Sequence, residues 1–239
     1  MKDWVTLKTQ AFMTIYELLE KAHTMSSMHA LTGPTGSGKT STFDVYRKEH
    51  ENVYYLKIEK VYKPKEFYLK LLSMVGVHDY DQRVTLKSMA DRFAHLLNER
   101  KEKILLIFDE AGKFSSEMCE YFQTIRDATD MHVGIILSGT DVFKINMDGW
   151  CNKKYRGIPE LNSRIYKWVE IPKPTENEKY QIVKKNGVTD PKEIRRIVQI
   201  SPDLRQLYQN VMEYRYASAK KKKEEQELNT DPKEELLSV

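Results

Sequence analysis

The chain has 239 residues and a mass of 28.2 kDa, is 40% apolar and 31% charged, and carries a formal charge of +4, which suits one α/β domain with a small appendage and excludes a disordered chain. No apolar run approaches the ~18 residues of a membrane span, the start MKDWVTLKTQ does not read as a secretory signal, and Cys119 and Cys151 belong to no CxxC pair or His cluster, which argues against a disulfide framework or a zinc site. A cytoplasmic location is the expectation, and with so mild a charge excess a nucleic-acid footprint must be a local cluster of Lys and Arg.

In chain order, apolar residues recur at helical spacing from Phe12 to Ala22, and the stretch SSMHALTG then reads as a strand that feeds a glycine-rich loop. TSTFDVYRKEH reads as a helix, and VYYLKIE as a strand with Tyr54, Leu56 and Ile58 on one face. Pro64 opens a helix carrying Phe67, Leu71 and Met74. The next helix turns Leu86, Met89, Ala90, Phe93 and Leu97 to one side. KILLIFDEA is apolar throughout, as a strand buried on both faces should be. The helix SSEMCEYFQTIRDA, the strand MHVGIILSGT and a last strand IYKWVEI complete the pattern up to Pro172. Strands alternating with helices imply a parallel sheet covered on both faces.

Beyond Pro172 only helices are expected. Thr175 and Glu178 make a capping box, Asp190-Pro191 and Ser201-Pro202 look like helix starts, and Leu204, Leu207, Tyr208, Val211 and Met212 mark an amphipathic helix. The expected organisation is an N-terminal helix over 1–24, a nucleotide-binding α/β core over 25–172, a helical lid over 173–219 and a charged, disordered tail over 220–239.

The loop GPTGSGKTS carries the most chemistry. Gly33, Gly38, Lys39 and Thr40 fit the pattern G-x-x-x-x-G-K-[ST], in which backbone N–H groups curl around phosphate oxygens at a helix N-terminus. The whole run of Gly33, Pro34, Thr35, Gly36, Ser37, Gly38, Lys39, Thr40 and Ser41 is therefore a candidate ATP cradle, with Lys39 on the β- and γ-phosphates and the Thr40 hydroxyl on Mg²⁺. Asp109 and Glu110 close the apolar strand, at the carboxyl end where open α/β sheets place ligands. Asp109 suits a hold on Mg²⁺, and Glu110 suits a general base acting on water, which favours hydrolysis over phosphate transfer to a small acceptor. Ser138 and Thr140 end the next strand and face the same rim, where one of them can orient the attacking water.

The succession GPTGSGKT, LLIFDEA, IILSGT, LNSRIYKWVEIP and SPDLRQL resembles an AAA+ ATPase of the branch that holds DNA-transposition regulators, the MuB/TnsC-like proteins and the helper ATPases of insertion sequences. FDEAGKFSSEMCEYFQTIRDATDMHVGIILSGTDVF, with Arg126 and the Gly139-Thr140 pair, is the most similar run, and the likeness extends from about Ala30 to Tyr214. It implies the three-layer P-loop AAA+ fold with a small C-terminal all-helical lid, and ATP with Mg²⁺ as cofactors. Thr140 becomes the first sensor with Ser138 as its alternative, Arg164 an arginine finger given to a neighbour's ATP, and Arg205 the second sensor.

The resemblance also implies partners: double-stranded DNA, held mostly through phosphates; further copies of the chain, in ATP-bound rings or filaments; and a DDE-type transposase recruited to its target, with hydrolysis releasing the assembly. MuB-like proteins can carry an N-terminal helix-turn-helix domain, whereas about thirty residues precede the loop here, which leaves DNA contact to the core. The candidates are Lys60, Lys63 and Lys65 around Tyr62, and the loop of Lys153, Lys154 and Arg156. Two other readings of the loop stay open at this stage, a secretion-type motor ATPase and a small-molecule P-loop kinase.

Overall fold

The computed structural model describes residues 4–59, 62–79, 83–129 and 132–229. They fall into two units, one of Gln10–Lys173 and one made of the residues before Gln10 together with those from Pro174 onward.

In the first unit, α1 (Gln10–Met25) leads to β1 (Met28–Thr32), α2 (Lys39–Glu49), β2 (Val53–Lys57), α3 (Pro64–Met74) and α4 (Leu86–Asn98). β3 (Ile104–Asp109), a 3-10 turn (Ala111–Lys113), α5 (Ser116–Ala128) and β4 (Val133–Gly139) follow, then α6 (Asp141–Asn152), α7 (Ile158–Arg164) and β5 (Lys167–Glu170). The strands form one five-stranded sheet in the order β2-β3-β4-β1-β5, and each pairing is parallel.

Two apolar layers sandwich this sheet, and the two-residue period of the strands sorts side chains between them. Leu31, Leu105, Ile107 and Ile136 pack with Ile15, Leu18 and Leu19 of α1 and Phe43 and Tyr46 of α2. Ala30, Leu106, Phe108, Ile135 and Leu137 point the other way, into the larger layer built by α3 to α7. Tyr54, Leu56 and Ile58 join that larger layer, which turns Tyr55 to the opposite face. The register pairs Lys57 with Asp109, Phe108 with Leu137 and Thr32 with Gly139, so the carboxyl ends of four strands reach one edge together.

Helices α6 and α7 were not evident in the sequence pattern. Phe143 and Met147 are the buried residues of α6, whereas its Val142 and Ile145 are 55% and 65% exposed, so its apolar residues trace no single buried face. α7 has only seven residues and a proline in its first turn, too short for a period to show.

His29 lies inside the sheet with no exposed surface. Its Nε2 pairs with Ser27 Oγ at 2.9 Å, while Nδ1 meets no partner among the described residues. Burial, then the charges of Lys21 and Lys167, push its pKa down to about 4. A histidine kept neutral in the fold but free to protonate when unfolded stabilises fully above the unfolded value of about 6.5, and that stability drains as pH falls toward 4. We expect about 2 kcal/mol to be lost from this group between pH 7 and pH 5. Urea unfolding of the protein and of His29→Gln at both pH values checks it, because the difference between the two proteins should change by that amount.

The second unit contains α8 (Glu176–Lys185), α9 (Pro191–Gln199) and α10 (Leu204–Asn229). The expected capping box closes α8: the Glu178 N–H donates to Thr175 Oγ1 at 3.2 Å, and the Thr175 N–H donates to Glu178 Oε2 at 2.7 Å. Asp190 caps α9, whose first residue is Pro191. Ile182, Val183, Val188, Ile194, Ile197, Val198, Leu207 and Val211 form the core. The segment before α1 docks here too. Asn186, buried, clamps the Val5 backbone by accepting from its N–H at 2.9 Å and donating to its carbonyl at 3.0 Å, and Trp4 meets Tyr208 edge-on. α10 runs on past this core, so Lys220–Asn229 of the charged tail is helical; residues 230–239 lie outside the described part.

Candidate nucleotide site

The edge where four strands end is also where the chain leaves β1 for the glycine loop. Gly38 takes φ 93° as the residue before α2, and Gly36 takes φ 71°, both left-handed, a conformation open to glycine at no steric cost. A side chain on Gly33 would sit 2.2 Å from Ile171 Cγ1, so the loop can run this close to the end of β5 only with glycine there. α2 has no acidic residue in its first turn and no side-chain cap, which leaves its N-terminal dipole and N–H groups suited to an anion. Lys39 folds back over the loop and donates from Nζ to the carbonyls of Gly33 and Pro34 at 2.7 and 2.8 Å and to Ser37 Oγ at 3.3 Å.

Asp109 is the hub of the site. It is 2% exposed, yet each of its oxygens accepts two hydrogen bonds. Oδ2 takes the hydroxyls of Thr40 at 2.8 Å and Tyr55 at 3.0 Å; Oδ1 takes the Ser138 hydroxyl at 3.1 Å and the Glu110 N–H at 2.9 Å. Burial and the adjoining carboxylate push the Tyr55 phenol up, so it stays protonated and donates. One hydroxyl and one carboxylate, both oxygen donors at the mouth of a phosphate-type loop, fit a hard cation that keeps most of its waters, as Mg²⁺ does.

Glu110 stands in the left-handed region at φ 58°, which swings its side chain off the line of β3. Its carboxylate pairs with Lys57 Nζ at 2.9 Å and with Lys113 Nζ. Burial raises its pKa, but the hydrogen bonds and charges of Lys113 and Lys57 outweigh burial and hold the carboxyl below its usual range.

The other sequence candidates sit as follows. Ser138, not Thr140, touches Asp109; Thr140 is exposed at the start of α6, where its carbonyl accepts from the Phe143 N–H. Arg164 ends α7 and forms a two-point pair with Asp127 of α5, Nε to Oδ1 at 2.5 Å and Nη2 to Oδ2 at 2.9 Å, while Nη1 donates to the Glu160 carbonyl. Arg126 ties the Ser26 and Val133 carbonyls together at the opposite end of β1 and β4. Arg205 is exposed on the first turn of α10 in the second unit. Lys63 is exposed just before α3, Lys65 is half-buried, and Lys153, Lys154 and Arg156 are exposed; Lys60 lies outside the described residues.

Tyr55, Lys57, Lys113 and Asp127, which also line these contacts, belong to no sequence motif. For the first two a signal existed, because VYYLKIE alternates and the face opposite Tyr54, Leu56 and Ile58 had to carry Tyr55 and Lys57 toward the strand end.

Among the described residues no helix is long and apolar enough to cross a membrane. No curated protein matches the sequence. The fold is similar to that of ORC1 from Aeropyrum pernix solved in complex with DNA, at 15% identity and a TM-score of 0.66, over 86% of this chain and 58% of that one. It is also similar to A. pernix ORC2 solved with ADPNP and ADP, at 14% identity and a TM-score of 0.64, over 87% and 61% of the two chains. Cdc6p from Pyrobaculum aerophilum aligns at 13% identity and a TM-score of 0.61, over 84% and 57%. The chain thus spans about three fifths of the length of these proteins. At such identities the likeness is one of fold, the P-loop α/β architecture expected from the sequence. The AAA domain family (AAA_22) matches residues 23–144, just over half of the chain and all of the loop, Asp109, Glu110 and Ser138, and the chain belongs to that family of ATPases, which work with ATP and Mg²⁺.

Proposed function

We propose that this protein is an ATP-dependent DNA-binding ATPase that assembles on duplex DNA and presents that DNA to a DDE-type transposase, with hydrolysis dismantling the assembly. The observation that carries the ATP-dependent part is the junction at Asp109. Its four hydrogen bonds tie the loop (Thr40), β2 (Tyr55), β4 (Ser138) and the backbone of Glu110 into one unit, so that a change at the phosphate loop is felt at several strand ends at once. Bound ATP supplies the phosphoanhydride to be cleaved, and Mg²⁺ draws charge from its oxygens. Within this chain, the loop N–H groups and Lys39 would hold phosphates, Thr40 and Asp109 would hold the cation, and Glu110 would take a proton from water. Ser138 or Thr140 would orient that water, and Arg164 and Arg205 would report on the γ-phosphate from a neighbouring copy and from the helical unit.

The DNA part is supported by the exposed Lys63, by the separate exposed run of Lys153, Lys154 and Arg156, and by the fold shared with ORC1, whose structure was solved with DNA. The transposase part is supported by the run of motifs from GPTGSGKT to SPDLRQL. Steady-state ATP hydrolysis with and without duplex DNA, at low and moderate salt, tests the proposal when paired with imaging of the same samples. We expect ATP or a slowly hydrolysed analogue to drive rings or filaments onto DNA, and Lys39→Ala to abolish both assembly and turnover. DNA binding that ignores nucleotide would overturn it.

A further inference from the structure

Helix α6 ends in a manner its sequence does not favour. The Tyr155 N–H donates to the Trp150 carbonyl at 3.1 Å, and the Lys154 N–H donates to the Cys151 carbonyl at 3.0 Å. This paired closure puts the first residue beyond the C-cap in the left-handed region, and that residue is Lys154, with φ 54°. Glycine fills such a position without steric cost, and a residue with a Cβ does not. The turn is otherwise well fixed, since the Ile158 N–H donates to the Tyr155 carbonyl at 3.1 Å and Gly157, at φ 76°, leads into α7.

This turn displays Lys153, Lys154, Tyr155 and Arg156 as four consecutive exposed residues. The Arg156 side chain is 93% exposed and its Nε is 3.6 Å from Glu120 Oε1, a contact too long and too wet to neutralise it. Tyr155 keeps 41% of its surface in solvent. The fold by itself is better served by glycine at position 154, so a lysine held there against backbone preference points to a use for its charge. Three exposed cations next in sequence to an exposed aromatic residue on a fixed turn match a strand of nucleic acid, which offers evenly spaced phosphates and flat bases. In an intact duplex the bases are stacked away, and an aromatic ring gains by stacking only where a base is unpaired.

Resting on the DNA-binding reading above, we infer that the Lys153–Arg156 turn grips a DNA strand through its phosphates while Tyr155 stacks on an unpaired base, so that on duplex DNA the protein favours locally unpaired sites over intact stretches. Fluorescence anisotropy tests this with three labelled probes: an intact duplex, the same duplex carrying a small bulge, and its single strand, each over a salt series with a slowly hydrolysed ATP analogue present. Lys154→Gly relieves the backbone, so its melting temperature should rise by about 2 °C. The same variant should bind every probe more weakly, with the slope of log affinity against log salt shallower by about 0.9 on duplex and about 0.7 on single strand. Tyr155→Ala should lose about tenfold on the bulged and single-stranded probes and leave the intact duplex unchanged. A stabilised Lys154→Gly with the parent affinity and slope, or a Tyr155→Ala that binds bulged DNA as the parent does, would overturn the assignment of this turn alone. No binding of any probe by the parent protein would instead sink the DNA-binding reading on which it rests.

Discussion

Glu110→Gln will bind ATP about as well as the parent and turn it over 10²- to 10⁴-fold more slowly, roughly the range general-base catalysis supplies. The substitution keeps the size and the left-handed backbone site of Glu110 but removes the basic oxygen. Asp109, Thr40 and Lys39, on which nucleotide affinity rests in the proposed reading, are untouched. Steady-state hydrolysis beside equilibrium binding of a fluorescent ATP analogue separates the two quantities; parent-like turnover in the variant would remove Glu110 from the reaction.

The lysines around Glu110 supply a second handle on the same residue. Lys57 and Lys113 both pair with its carboxylate and hold its pKa down against burial. A general base works only when deprotonated, so activity falls as pH drops through its pKa, and a depressed pKa keeps the enzyme active further into acid. Lys57→Met or Lys113→Met removes one positive neighbour, moves the Glu110 pKa up, and should shift the acid limb of the turnover profile to higher pH. Glu110→Gln has no such limb to shift, so combining it with Lys57→Met should cancel the effect. That cancellation distinguishes an action through Glu110 from a general loss of structure.

The parts of the site legible in the sequence are those that depend on contiguous residues. GPTGSGKT declares its turn through glycines that tolerate positive φ, and ILLIF declares a strand buried on both faces, which delivers Asp109 and Glu110 to the carboxyl edge. The lateral contacts were not legible. Tyr55 reaches Asp109 across 54 positions and Asp127 reaches Arg164 across 37, and neither pairing leaves a mark on local periodicity. Ser138 meets Asp109 while Thr140 does not, because β4 ends at Gly139 and Thr140 already stands at the start of α6, a boundary that residue type does not reveal. α6 leaves no helical signature in the sequence because its Val142 and Ile145 lie in solvent.

Asp109→Asn and Asp109→Ala should be equally inactive and unequally stable, because the carboxylate is both a cation holder and a buried acceptor of four hydrogen bonds. Asparagine can keep its carbonyl toward the Glu110 N–H, a donor that cannot reverse, and turn its amide toward Thr40 and Tyr55, whose hydroxyls can rotate to accept. The cost to the fold is then modest, about 1 kcal/mol. Alanine leaves the Glu110 N–H and three hydroxyls around a small void; with some of these donors unpaired in a site that is 2% exposed, the loss should be about 3–5 kcal/mol. In both variants the anionic oxygens that fit Mg²⁺ beside Thr40 are gone, so nucleotide affinity should stop responding to added Mg²⁺ and turnover should fall by at least about 10³-fold. Tyr55→Phe removes a single donor and should keep the Mg²⁺ response, costing about 1 kcal/mol in stability. Calorimetry paired with Mg²⁺ titration of nucleotide binding reads both effects. A Mg²⁺ response preserved in Asp109→Asn would show that the cation is held elsewhere, and equal stabilities for the two variants would show that the four hydrogen bonds contribute little to the fold.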